Sequence, residues 1–166
     1  MNVIIKAILI GAGATVAMDI WSYILSLFNI TSLDYRFVGR WIGNFPSGTF
    51  YHDKIMSAPK VKNEWVIGIT SHYLIGITFA FLLWGVYGKA WFDKPEFLPA
   101  VLIGIVTIVA PFFLMQPAFG LGVAGAKVPE PNILRLKSFM AHLIYGIGLY
   151  LTAVLINYFL SKFESL

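Results

Sequence analysis

The sequence predicts an all-α integral membrane protein with four transmembrane helices, and three observations carry that prediction. The chain is 58% hydrophobic and 12% charged, with a mean hydropathy of +0.78, well away from the makeup of soluble domains. Four apolar stretches each reach roughly the 20 residues that a helix needs to cross a hydrocarbon core. The charged residues gather mostly between and beside those stretches. The expectation is one four-span domain over 1–166, with spans near 3–29, 65–87, 97–119 and 138–159 and a long polar loop over 30–64.

The first apolar stretch starts like a leader peptide, because Lys6 precedes a run with small residues. It continues through Trp21-Ser22-Tyr23-Ile24-Leu25-Ser26-Leu27-Phe28, too long for a signal core, so it reads as a span. Helical spacing puts Gly11, Thr15, Asp19 and Ser22 on one face of it. In the loop that follows, Leu33, Phe37 and Trp41 fall four apart, while Arg36 and Arg40 share another face. That pattern predicts an amphipathic helix lying in the membrane interface, with Arg36, Arg40 and Trp41 meeting lipid headgroups. Asn44-Phe45-Pro46-Ser47-Gly48 then signals a turn, and His52, in Tyr51-His52-Asp53-Lys54, reads as a solvated residue.

The second span carries Glu64, Gly68, His72, Gly76 and Ala80 on one face, and the fourth carries Ser138, His142, Gly146 and Tyr150. Small residues in such stripes let membrane helices approach closely. The third span is interrupted by Pro111 and by Met115-Gln116-Pro117. Proline removes a backbone hydrogen bond, so this helix is expected to kink and free carbonyls.

Short matches suggest a two-plus-two internal repeat. Leu9-Ile10-Gly11 recurs as Leu102-Ile103-Gly104, and His72-x-x-x-Gly76-Ile77 recurs as His142-x-x-x-Gly146-Ile147. With two spans per half, the halves would share one orientation, related by an axis along the membrane normal. Charge sets the expected topology. The first and third loops carry eight Lys and Arg residues against four for the other side, which favours cytoplasmic first and third loops and both termini outside.

Ionisable groups within spans are costly and mark functional or packing sites that face protein. The expected intramembrane polar site is Asp19, His72, Gln116 and His142, with Thr15, Ser22 and Tyr145 as helpers. Both histidines fall roughly 6–10 Å from the same membrane side at 1.5 Å per residue. Three readings stay open. The residues translocate a small solute or ion, with Asp19 as the protonatable carboxylate. They only tie helices together in a structural or sensory membrane protein. Or His72, His142 and Asp19 hold a metal, or the two histidines a haem with Met115 as an alternative axial ligand.

Other classes are disfavoured. The chain has no cysteine, which excludes disulfides, thiolate ligands and a Cys nucleophile. Ser71 and His72 are adjacent on a helix and point about 100° apart, so they make no nucleophile–base pair. No Gly-x-Ser-x-Gly elbow or phosphate loop is present, and the reading leans away from an enzyme. The net charge of +4 sits beside spans, which suits the lipid bilayer as partner rather than nucleic acid. Self-association is expected for so small a bundle.

Met18-Asp19, Val38-Gly39-Arg40-Trp41-Ile42-Gly43, Ser71-His72-Tyr73-Leu74-Ile75-Gly76 and Met115-Gln116-Pro117-Ala118-Phe119-Gly120 together resemble the bacterial integral-membrane family called domain of unknown function 2938. The resemblance covers essentially the whole chain. It implies a small multi-span protein of the bacterial inner membrane and brings no activity with it.

Overall fold

Asn2 begins the first helix, its side-chain oxygen accepting the Ile4 N–H at 2.9 Å, and the computed structural model describes the chain from Met1 to Glu164. Among the described residues all regular structure is helical. Helix α1 is Val3–Leu27; it closes with Asn29 at φ 58° and an Ile30 N–H to Leu25 carbonyl bond, the Schellman geometry that asparagine tolerates. Helix α2 is Tyr35–Gly43, inside the long loop. Helix α3 is Glu64–Asp93, broken at Gly88, whose φ of 71° and ψ of −175° lie outside the helical region and suit only glycine. That break explains why helix resumes beyond the expected end near residue 87.

Helix α4, Phe97–Val106, forms the first half of the third span. The chain then passes a turn at Thr107, winds as a π-helix over Pro111–Met115 and ends in a short turn, Gln116–Ala118. The expected proline disruption is therefore a wider winding rather than a simple bend. Helix α5 is Pro131–Glu164, starting earlier than expected because Pro131 supplies a preset φ at its first turn. Four segments, Val3–Leu27, Glu64–Asp93, Phe97–Ala118 and Pro131–Phe163, are long and apolar enough to cross a membrane.

The contacts gather into two compact units. The first comprises Met1–Ile30, Tyr73–Thr107 and Met140–Leu166, and the second Thr31–His72 and Ile108–Phe139. The core of the first unit is built of Ala7, Ile10, Ala14, Ala80, Leu83, Phe92, Ala100, Tyr145, Leu149 and Ala153. Lipid tails are as apolar as leucine, so close backbone approach holds such helices together. A Cβ on Gly11 would stand 2.6 Å from the Ile77 Cα, and one on Gly104 would stand 2.6 Å from the Gly146 Cα. These two crossings join the segments matched by the sequence repeat. At one end of this unit Lys6 is buried, paired with Asp93 at 2.9 Å and donating to the Phe92 carbonyl.

The second unit is organised around α2. Asp34 caps it by accepting the Arg36 N–H at 3.0 Å. Burial pushes the Asp34 carboxyl upward, but hydrogen bonds from Arg36 outweigh this and hold it below its ordinary value. Val38, Ile55, Ala118 and Phe119 form the core here. The segment around His52 lies along the end of the third span, with the His52 N–H on the Ala118 carbonyl at 2.8 Å and the Ile55 N–H on the Phe119 carbonyl at 3.1 Å. Gly120, at φ +81°, ends that span, and its Cα sits against the Asp53 and His52 carbonyls.

Candidate functional site

Within the first unit, α1 and α3 bring together Asp19 and Tyr73, the phenol donating to the Asp19 Oδ2 at 2.8 Å. Asp19 is half-buried. The same helices meet one turn earlier, where the buried Thr15 sits against Gly76. Thr15 donates its hydroxyl proton to the Gly11 carbonyl at 2.8 Å, and Tyr145 donates to the Gly76 carbonyl at 2.6 Å. Thr15, one turn before Asp19, and Tyr145, bonded to Gly76 one turn after Tyr73, thus line the crossing of α1 and α3. Ser22, half-buried, lies one turn beyond Asp19 on α1.

His142, also in the first unit, is held by Thr107. The Thr107 Oγ1 donates to the Gly104 carbonyl at 2.6 Å and lies 2.8 Å from the His142 Nδ1. A hydroxyl has one proton to give. That proton is committed to a carbonyl, which can only accept, so the His142 Nδ1 carries hydrogen and donates to Thr107.

The second unit holds His72 and Gln116. The His72 Nε2 lies 2.9 Å from the Tyr35 hydroxyl, and the two rings stack with centroids 4.4 Å apart. A metal or haem iron at that nitrogen would have to displace Tyr35. Gln116 is 2% exposed and donates through Nε2 to the Ser138 Oγ at 3.2 Å. Among the described residues no group of three or more His, Asp or Glu side chains could hold a metal ion. The proposed set of His72, His142 and Asp19 is therefore not such a group.

The headgroup contacts expected of α2 need correction. Arg40 faces protein and not phosphate: its side chain is 5% exposed beside Glu64, at 10%. Its Nε and Nη2 bond the two Glu64 oxygens at 2.8 and 2.9 Å. Its Nη1 bonds the carbonyls of Ile55, Met56 and Ala58. The hydrogen bonds to Glu64 raise the guanidinium above its ordinary value. A buried carboxylate at the mouth of a span needs such a partner, and Arg40 is within reach because Gly39 sits directly on the Glu64 carbonyl. Trp41 also turns inward, donating to the Phe50 carbonyl at 2.8 Å and packing against Phe45 and Phe119. Arg36 remains exposed, paired with Asp34.

His52 is likewise not simply solvated. It is half-buried, and its Nε2 is buried with no hydrogen-bond partner in the protein. Tyr35, Tyr73 and Thr107 carried no sequence sign of being partners, and Ser138 stood out only as a member of the His142 face. Their shared signal is a hydroxyl placed to meet an ionisable or amide group one helix away, a pairing visible only once the helices are packed.

A family model described as Protein of unknown function (DUF2938) matches residues 8–156, which takes in the greater part of all four apolar segments. No curated protein and no solved structure matches the chain.

Proposed function

This chain belongs to the DUF2938 family, and on that premise we propose that it is a bacterial inner-membrane protein that moves a proton or small ion across the bilayer. The observation that carries this reading is Asp19, a half-buried carboxylate inside an apolar span, hydrogen-bonded by Tyr73 at 2.8 Å. A carboxylate in that setting is costly and by default functional. Asp19 takes up and releases the proton, Tyr73 orients it, and His142, held by Thr107, is a second exchangeable group. Matched close crossings at Gly11 with Gly76 and at Gly104 with Gly146 fit a like-oriented repeat of the kind found in transporters.

The test is proton flux into vesicles holding the purified protein, driven by a potassium diffusion potential and read by an internal pH dye. Wild type should acidify the vesicles, and Asp19→Asn should lower the rate at least about tenfold, equivalent to ~1.4 kcal/mol. Flux equal to that of empty vesicles would sink the proposal. Full flux in Asp19→Asn would leave Asp19 only a helix tie, which is the second reading, favoured by its hydrogen bond to Tyr73 on a neighbouring helix.

The orientation that goes with this proposal puts the first and third loops in the cytoplasm. Eight basic residues against four support it. Lys6, one of the four, is buried in an ion pair with Asp93, as Arg40, one of the eight, is with Glu64, so the excess is unchanged when both are set aside. A C-terminal alkaline phosphatase fusion should accordingly be active, and an inactive fusion beside an active cytoplasmic reporter would reverse the topology.

A further inference from the structure

The third span offers hydrogen-bond acceptors without enough donors at one place. In the second unit, the Gln116 N–H goes to the Pro111 carbonyl, and the Phe119 N–H goes to the Met115 carbonyl at 2.9 Å. Between those two donors only the Ala118 amide remains, because Pro117 has no N–H. The carbonyls of Phe112, Phe113 and Leu114 therefore share one ladder donor, and two of them get none from the helix.

The Gln116 side chain adds an independent acceptor. Its Nε2 is used on Ser138, while its Oε1 is buried with no partner in the protein. A helical side chain leans back over the turn that precedes it, and residues four apart share a face. Gln116 thus shares a helix face with Phe112, one of the three residues whose carbonyls share that donor. Gly125, at φ +68°, stands beside it: a Cβ there would lie 3.7 Å from the Gln116 Oε1 and 2.6 Å from the Leu134 Cδ2. A buried acceptor left alone is destabilising, so a cluster of them calls for a partner that is all donor or all positive charge.

We propose that the π-helical segment Pro111–Met115, with Gln116 and Ser138, binds a small monovalent cation. The ligands are the Gln116 Oε1, the Ser138 Oγ and the carbonyls that the ladder leaves unpaired. All are neutral oxygens, which suit an alkali or ammonium ion better than a divalent ion that asks for carboxylates. Discontinuous membrane helices commonly coordinate ions through unwound carbonyls. This site is independent of proton exchange at Asp19 and stands or falls apart from it.

The experiment follows thermal unfolding of the whole detergent-purified protein in sodium, potassium, ammonium or choline chloride at equal ionic strength. At least one small cation should raise the unfolding midpoint by several degrees in a saturable way, and choline should not. The three salts distinguish an alkali ion from ammonium. Gln116→Leu should abolish the response. Gln116→Glu, measured at pH 8, should tighten binding roughly tenfold, because site affinity rises with ligand charge; this variant keeps the test valid if Gln116→Leu does not fold. Equal midpoints in all four salts would overturn the proposal and leave a bound water as the partner. An unchanged cation response in Gln116→Leu, or no tightening in Gln116→Glu, would overturn it as well.

Discussion

Replacing Arg40 with alanine should destabilise the protein by about 3–5 kcal/mol, the usual cost of breaking a buried ion pair from one side. The change removes both bonds to Glu64 and strips donors from the carbonyls of Ile55, Met56 and Ala58. Most of the loss comes from the Glu64 carboxylate, left buried with only the Val61 N–H at 3.2 Å. Arg40→Lys should recover little, since an ammonium cannot bond a carboxylate through a planar fork and reach the carbonyls together. Arg40→Met combined with Glu64→Leu should be less damaging than Arg40→Ala alone, because neither charge is then stranded. Unfolding in mixed micelles, followed by circular dichroism, provides the measurement. A loss below about 1 kcal/mol for Arg40→Ala would show that the pair behaves as an exposed one.

The second large effect is expected at Gly104. An added methyl would stand 2.6 Å from the Gly146 Cα, 2.6 Å from the His142 carbonyl oxygen and 2.7 Å from the Gly146 nitrogen. All three atoms are backbone, so the helices themselves must separate. Overpacking of this kind costs about 1–3 kcal/mol. Separation would also stretch the 2.8 Å contact between Thr107 and His142, because Thr107 lies one turn from Gly104. Gly104→Ala should therefore lower both stability and proton flux. Gly85→Ala is the control: nothing lies within 4 Å of a Cβ there, and alanine is the better helix former. Equal stability in the two variants would refute the close crossing.

The spans were legible in the sequence because lipid imposes one rule along the whole segment: every backbone group must be satisfied internally and nearly every side chain must be apolar. Of the stripe Glu64, Gly68, His72, Gly76 and Ala80, all but the half-buried His72 are buried. The long loop was harder to read. The pattern of Leu33, Phe37 and Trp41 correctly located a helix at Tyr35–Gly43. It misassigned Arg40, because an arginine facing phosphate and one facing a buried glutamate have the same spacing. The deciding residue, Glu64, is 24 positions away. Candidate site residues stood out as rare ionisable groups, whereas their partners, Tyr35, Tyr73, Thr107 and Ser138, are ordinary residues. Their meaning depends on tertiary packing.

The ion pair at Lys6 bears on the order in which the chain is assembled. Its carboxylate partner, Asp93, comes 87 residues later, and Asn157, which shares the Phe92 carbonyl with Lys6, comes later still. When α1 first leaves the ribosome, no part of this arrangement exists. Its leading lysine must stay in water or among headgroups until α3 has been made through to its last residue. Docking of that end of α1 is consequently a late step in biogenesis. A chain interrupted before Asp93 would present the insertion machinery with an unneutralised charge that the finished protein conceals.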